Sequence, residues 1–263
     1  MNKKLVWLLI LSLALAACQK QSLTVGNEYM NALQDGDIDS MLETVSDDIA
    51  LVVSGDPIFH NELTGKNAMR EYLENNAASG FKLELTADPI INDNQLIYPN
   101  RFAINDFTAI GVDWVTGQDE LTIENGKITR DVWTIDDVSR TKLTEVFANL
   151  QRQFEANLIG TWHLDGETES EQANFRYHPD GTYELVRYIV GAETMWDKGV
   201  YSCEGNLVTL TTTEAYYCKV DDKGVYEMQF LEDGSMQISL VDELCWKRKP
   251  PVDGPVTLKR IVE

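Results

Sequence analysis

From Leu23 to Leu33 the apolar residues Val25, Tyr29, Met30, Ala32 and Leu33 recur at helical spacing, and Gly36 ends the run. Asp37 then stands where a side chain caps a second helix, with Ile38, Met41, Leu42 and Val45 on its buried face. The continuous apolar run Ile49–Val53 predicts a strand, and Gly65 to Asn75 predicts a third helix through Met69, Tyr72 and Leu73. Between Phe81 and Trp133 the pattern alternates in short strand-like runs parted by Asn92-Asp93-Asn94 and Glu124-Asn125-Gly126-Lys127. Asp136 to Leu158 lacks Gly and Pro, and Leu143, Val146, Phe147, Leu150 and Phe154 give it one apolar stripe, as expected of a connecting helix. From Ile159 onward the signals are all β, with turns at Pro179-Asp180-Gly181, Glu204-Gly205-Asn206, Asp221-Asp222-Lys223-Gly224 and Glu232-Asp233-Gly234. The pattern therefore predicts an α+β domain over 23–135, a linking helix over 136–157 and an all-β domain over 158–263.

The N-terminus reads differently. Lys3 and Lys4 precede an apolar stretch from Leu5 to Ala17 broken only by Ser12. A membrane-spanning helix needs about 20 apolar residues, so this stretch suits an export signal better than a span. It closes on Leu15-Ala16-Ala17-Cys18, which resembles the bacterial lipobox. That resemblance implies removal of 1–17, lipidation of Cys18, a tether over 18–22 and an extracytoplasmic protein held at a membrane. The net charge of −21 becomes two units more negative once Lys3 and Lys4 are lost. So acidic a surface repels nucleic acid and anionic headgroups, so a nucleic-acid partner is excluded and neutral or cationic ligands are favoured.

A family likeness attaches to the first domain. Tyr29-Met30-Asn31-Ala32-Leu33-Gln34-Asp35-Gly36-Asp37-Ile38-Asp39, then Ser46-Asp47-Asp48-Ile49-Ala50, then Gly65-Lys66-Asn67-Ala68-Met69-Arg70 resemble the nuclear transport factor 2 superfamily, which includes SnoaL-like cyclases and ketosteroid isomerases. The resemblance implies a cone of three helices on a curved antiparallel sheet around one apolar pocket, with Trp114 and Trp133 as lining. It puts Tyr29 at the steroid isomerase's donor phenol and Asp119 at its donor acid. The position of the base falls on Val53, which cannot move a proton. Isomerase chemistry of that type is therefore not expected, and no catalytic residue is assigned. Asp56, His60 and Asp106 remain as alternative bases, each more simply read as a solvated loop residue.

In the second domain Gly160-Thr161-Trp162 resembles the start of a lipocalin, in which the Trp plugs one end of a β-barrel and a basic residue from the last strand covers it. Arg260 is placed for that cation–π contact. The tyrosines and tryptophans of this half (Tyr177, Tyr183, Tyr188, Trp196, Tyr201, Tyr216, Tyr217, Tyr226 and Trp246) either line a ligand site or fill the core. Cysteines 203, 218 and 245 allow one disulfide in an oxidising compartment, and Cys218 with Cys245 is the pairing selected from the three that sequence leaves open. His60, His163 and His178 are too scattered for a zinc site, and no metal or cofactor is expected. Gly-x-Ser-x-Gly, phosphate-loop and His-Glu-x-x-His motifs are missing. The reading that follows is a lipid-anchored envelope protein binding a small apolar molecule without catalysis. A SnoaL-like enzyme and a protein-interaction lipoprotein with no identified partner are the alternatives.

Overall fold

The fold is taken from a computed structural model, which describes residues 20–55, 57–92, 95–164, 172–189, 192–214, 216–245, 248 and 254–261. The proposed leader and Cys18, together with Asp56 and Trp246, lie outside the described residues, as does the side chain of Tyr188. The chain divides into two compact units, Met1–Val146 and Phe147–Glu263.

The first unit opens with α1 (20–35) and α2 (Ile38–Thr44). Asp37 caps α2 by accepting the Ser40 N–H at 3.0 Å. Val45 starts β1 (Val45–Ser54) instead of extending α2, its β-branched side chain buried on the strand. After β2 (His60–Thr64) comes α3 (Lys66–Ala78), then β3 (Lys82–Leu85), β4 (Ile90–Asn92), β5 (Gln95–Ala103), the short α4 (Asn105–Ala109), β6 (Val115–Glu124) and β7 (Lys127–Ile135). The sheet runs β2-β1-β7-β6-β5-β3 with β4 on β5. β1 and β7 pair in parallel and the other ladders are antiparallel. A core of Tyr29, Met30, Met41, Ile49, Met69, Leu96, Tyr98, Leu121 and Ile128 lies between the helices and one sheet face.

α5 (Asp137–Leu158) supplies Leu143 to an apolar cluster of the first unit and Leu158 to the core of the second. The second unit consists of β8 (Gly160–Leu164), β9 (Ala173–Tyr177), β10 (Thr182–Ile189), β11 (Ala192–Glu204), β12 (Leu207–Glu214), β13 (Lys223–Phe230), β14 (Met236–Glu243) and β15 (Val256–Ile261). These strands close into an eight-stranded barrel in which sequence neighbours are sheet neighbours and β15 pairs with β8. The chain is thus a cone-shaped α+β domain followed by an all-β barrel.

Candidate functional site

Side chains alternate across a strand, so the inward face of β5, β6 and β7 is read at every second position. It carries Leu96, Tyr98, Asn100 and Phe102; Val115, Asp119 and Leu121; Asp131, Trp133 and Ile135, all buried. On so apolar a face the polar members Asn100, Asp119 and Asp131 need partners, because a buried carboxylate is costly unless hydrogen-bonded. They find them in one another and in α1. The Tyr29 hydroxyl donates to Asp131 Oδ2. Asn100 Nδ2 donates to Asp119 Oδ2 at 2.5 Å and to the Tyr98 carbonyl at 3.0 Å, while Trp133 Nε1 donates to Asn100 Oδ1 at 3.0 Å. The indole N–H thereby sets which way the Asn100 amide faces and aims its NH2 at Asp119.

Tyr29, Asp119 and Asp131 are only 1 %, 3 % and 2 % exposed. Burial pushes the Asp131 carboxyl up to about 6, although hydrogen bonds from Tyr29 and Asp119 pull against the rise. Asp119 is likewise raised well above the ordinary aspartate value, by burial first and then by the charge of Asp131. Two adjacent buried carboxyls cannot both ionise cheaply, so the pair holds a proton to higher pH than free aspartates would. The Tyr29 phenol is held well above its ordinary value by burial first and then by the two acids, so it remains a donor. Asp131 Oδ1 meets no N–H or hydroxyl donor among the described residues.

Beside this polar group sits a box of aromatic rings. Phe59 stacks on Trp133 at 5.9 Å, Phe102 meets Trp133 edge-on at 5.0 Å, Phe81 stacks on Phe102 at 5.8 Å and Phe107 lies 6.1 Å from both Phe59 and Phe102. Phe59 is delivered by a tight turn closed by Gly55 N–H to the Phe59 carbonyl at 2.8 Å. A Cβ on Gly55 would come within 2.4 Å of that ring. Val53 packs against both the core and the aromatic box and is in register with Trp133 on β7.

Of the residues expected to line the pocket, Tyr29, Asp119 and Trp133 come together, joined through Asn100 and Asp131. Trp114 does not join them: it is half-buried in the segment before β6, and the Arg101 guanidinium lies 4.4 Å from its ring centre. His60 and Asp106 are exposed, at the start of β2 and in the first turn of α4. Asp131 and Asn100 were missed. Asp131 carried a usable signal, since it stands two positions before Trp133 and shares its strand face.

In the barrel, Trp162 is buried and donates its Nε1–H to the Leu158 carbonyl at 2.8 Å. Arg260 pairs with it across the β15–β8 ladder, the guanidinium 5.3 Å from the ring centre and donating to the Ile159 carbonyl at 2.6 Å. Gly160 has φ +134°, and a Cβ there would stand 3.3 Å from Arg260 Nη2. At the other end of the strands Arg248 is buried by hydrogen bonds to Glu243, Asp197, Thr212, Tyr183 and the Asp222 carbonyl. Tyr177, Tyr226 and Arg248 border a space of about 20 Å³. That is room for about one water, so the interior at this level is filled by side chains. Cys218 and Cys245 are bonded with their Cα atoms 5.3 Å apart, and the Cys203 thiol is pushed up to about 11, chiefly by burial.

The fold of the first unit is that of a cone-shaped class of α+β domains, and sequence comparison agrees. Residues 27–131 match the SnoaL-like domain model, and the fold of this part of the chain is NTF2-like. Similar solved structures include a protein of unknown function with a cystatin-like fold from Xanthomonas campestris (21% identity, 46% of this chain and 94% of that one, TM-score 0.40). Another is an NTF2-like protein from Burkholderia xenovorans LB400 (14% identity, 47% and 95%, TM-score 0.38). A third is the epoxide hydrolase/cyclase-like enzyme SalBIII of pyran ring formation in salinomycin (16% identity, 46% and 95%, TM-score 0.38). No curated protein matches the chain in sequence.

Proposed function

We propose that this chain is a lipid-anchored envelope protein whose SnoaL-like domain binds a small, largely apolar molecule bearing one hydroxyl or N–H group, and does so without turning it over by a steroid-isomerase route. The observation that carries the reading is the buried Tyr29–Asp131–Asp119 cluster beside the aromatic box. Aromatic rings offer the apolar contact, and the Tyr29 phenol with the Asp119 and Asp131 carboxyls offers the polar one. Stability alone gives no reason for two carboxyls there, since an apolar pair of similar size would avoid their desolvation. Val53, where the base would stand, argues against enolising chemistry.

Native mass spectrometry of the chain purified from its own host, before and after denaturing extraction, tests this. A reproducible bound mass that disappears in Asp131→Asn supports it. An empty protein that also fails to displace an apolar dye sinks it.

A second reading is favoured by one observation. With its carboxyl near 6, Asp131 is largely ionised at neutral pH and more basic than an ordinary aspartate, which suits proton abstraction. A cyclase or hydrolase using Asp131 would show kcat/KM rising through about pH 6 and would lose turnover in Asp131→Asn while retaining ligand.

A further inference from the structure

A different space opens on the helical side of the same domain. α1 and α3 both end in the same motif, with a glycine in the left-handed region, Gly36 at φ +71° and Gly80 at φ +73°. The next N–H turns back to the helix, Asp37 N to the Ala32 carbonyl at 2.9 Å and Phe81 N to the Asn76 carbonyl at 3.1 Å. Between these two helix ends and α2 lies a cavity of about 140 Å³. Its walls are Leu33, Ile38, Met41, Leu73 and Phe81, and it opens to solvent past Gln34, Asp35 and Ala77. The volume is close to that of engineered protein cavities of about 150 Å³ that accept benzene.

The electrostatics of this cavity have one sign. Two helix C-termini point their negative ends toward it, and the last turn of α3 holds no basic residue to offset its own. Asp35 stands at the rim, none of the lining residues is basic, and the whole chain carries −21. Phe81 adds an aromatic face of the kind that attracts cations.

We propose that this cavity binds a small organic cation: a single ring or short branched alkyl group seated against Leu33, Met41, Leu73 and Phe81, with an ammonium directed toward Asp35 and the amide oxygens of Gln34 and Asn76. The site is independent of the carboxylate cluster, none of whose members lines it.

Benzylammonium, benzyl alcohol and benzoate share one ring and differ in charge, so titrating each into the full chain by calorimetry separates shape from charge. Benzylammonium should bind tightest and benzoate weakest, with the gap narrowing in high salt. Asp35→Asn, at an exposed position, should cost benzylammonium about fivefold and leave benzyl alcohol unchanged. Ala77→Phe, which fills the cavity from its exposed side, should abolish binding of all three. Ala77 lies away from Tyr29, Asp119 and Asp131, so a host-derived mass bound at the carboxylate cluster should persist in Ala77→Phe, and failure here is distinguishable from failure of the reading above. Benzyl alcohol or benzoate binding as tightly as benzylammonium, no heat from benzylammonium at millimolar concentration, or undiminished binding in a folded Ala77→Phe protein would each overturn the proposal.

Discussion

Asp131 and Asp119 make stability depend on pH in a direction opposite to most carboxylates. Both are raised on folding, so the native chain holds protons that the unfolded chain has released. The stability this confers is fully present below the ordinary aspartate value and is lost as pH rises through about 6. Exposed acids such as Asp37 and Asp233, lowered by hydrogen bonds from serine, pull the other way, so the comparison must be with a variant. Asp131→Asn should melt with a smaller loss between pH 5 and pH 8 than wild type, the difference being of order 1 kcal/mol. Equal slopes in the two proteins would remove the shared proton. Trp133→Phe keeps the aromatic stack but deletes the donor to Asn100 Oδ1, and should cost about 1–2 kcal/mol in urea unfolding. The reason Asp131 escaped a reading of the sequence is distance along the chain: its phenol partner is 102 residues away. Trp162 and Arg260 were legible because a short motif announces the first and the final strand announces the second.

The elements that announced themselves are those with long periods and strong punctuation. α1 stops at Gly36 and α5 runs as a single 22-residue helix, as their apolar stripes require. α4 escaped because five residues carry no helical period, and Trp114, expected to line the pocket, stands one position before β6 begins. Punctuation also gives predictions. A Cβ at Gly80 would need the left-handed conformation and would come within 2.5 Å of the Asn105 side chain, so Gly80→Ala should destabilise the first unit by about 1–2 kcal/mol. In the second unit the Cys218–Cys245 bond closes a 27-residue separation and should contribute roughly 3–4 kcal/mol through the unfolded state. Denaturant unfolding of the double Cys218→Ala, Cys245→Ala variant measures that contribution. An unchanged midpoint would show the barrel to be held by its core alone.

At the scale of the whole molecule, two units with separate cores predict two calorimetric transitions, of which a reductant should lower only that of the barrel. A reductant that shifts both transitions equally would show the two units to unfold as one. The barrel's strand order also has a consequence in time. Each strand from β9 to β14 has both its neighbours beside it in the sequence, but β8 waits for β15, which emerges from the ribosome after every other strand. Until Val256–Ile261 is available, β8 and β14 are open edges, able to pair with another chain. The barrel's two open edges are therefore covered together, in one step, and Val256–Ile261 is the segment on which protection of both depends.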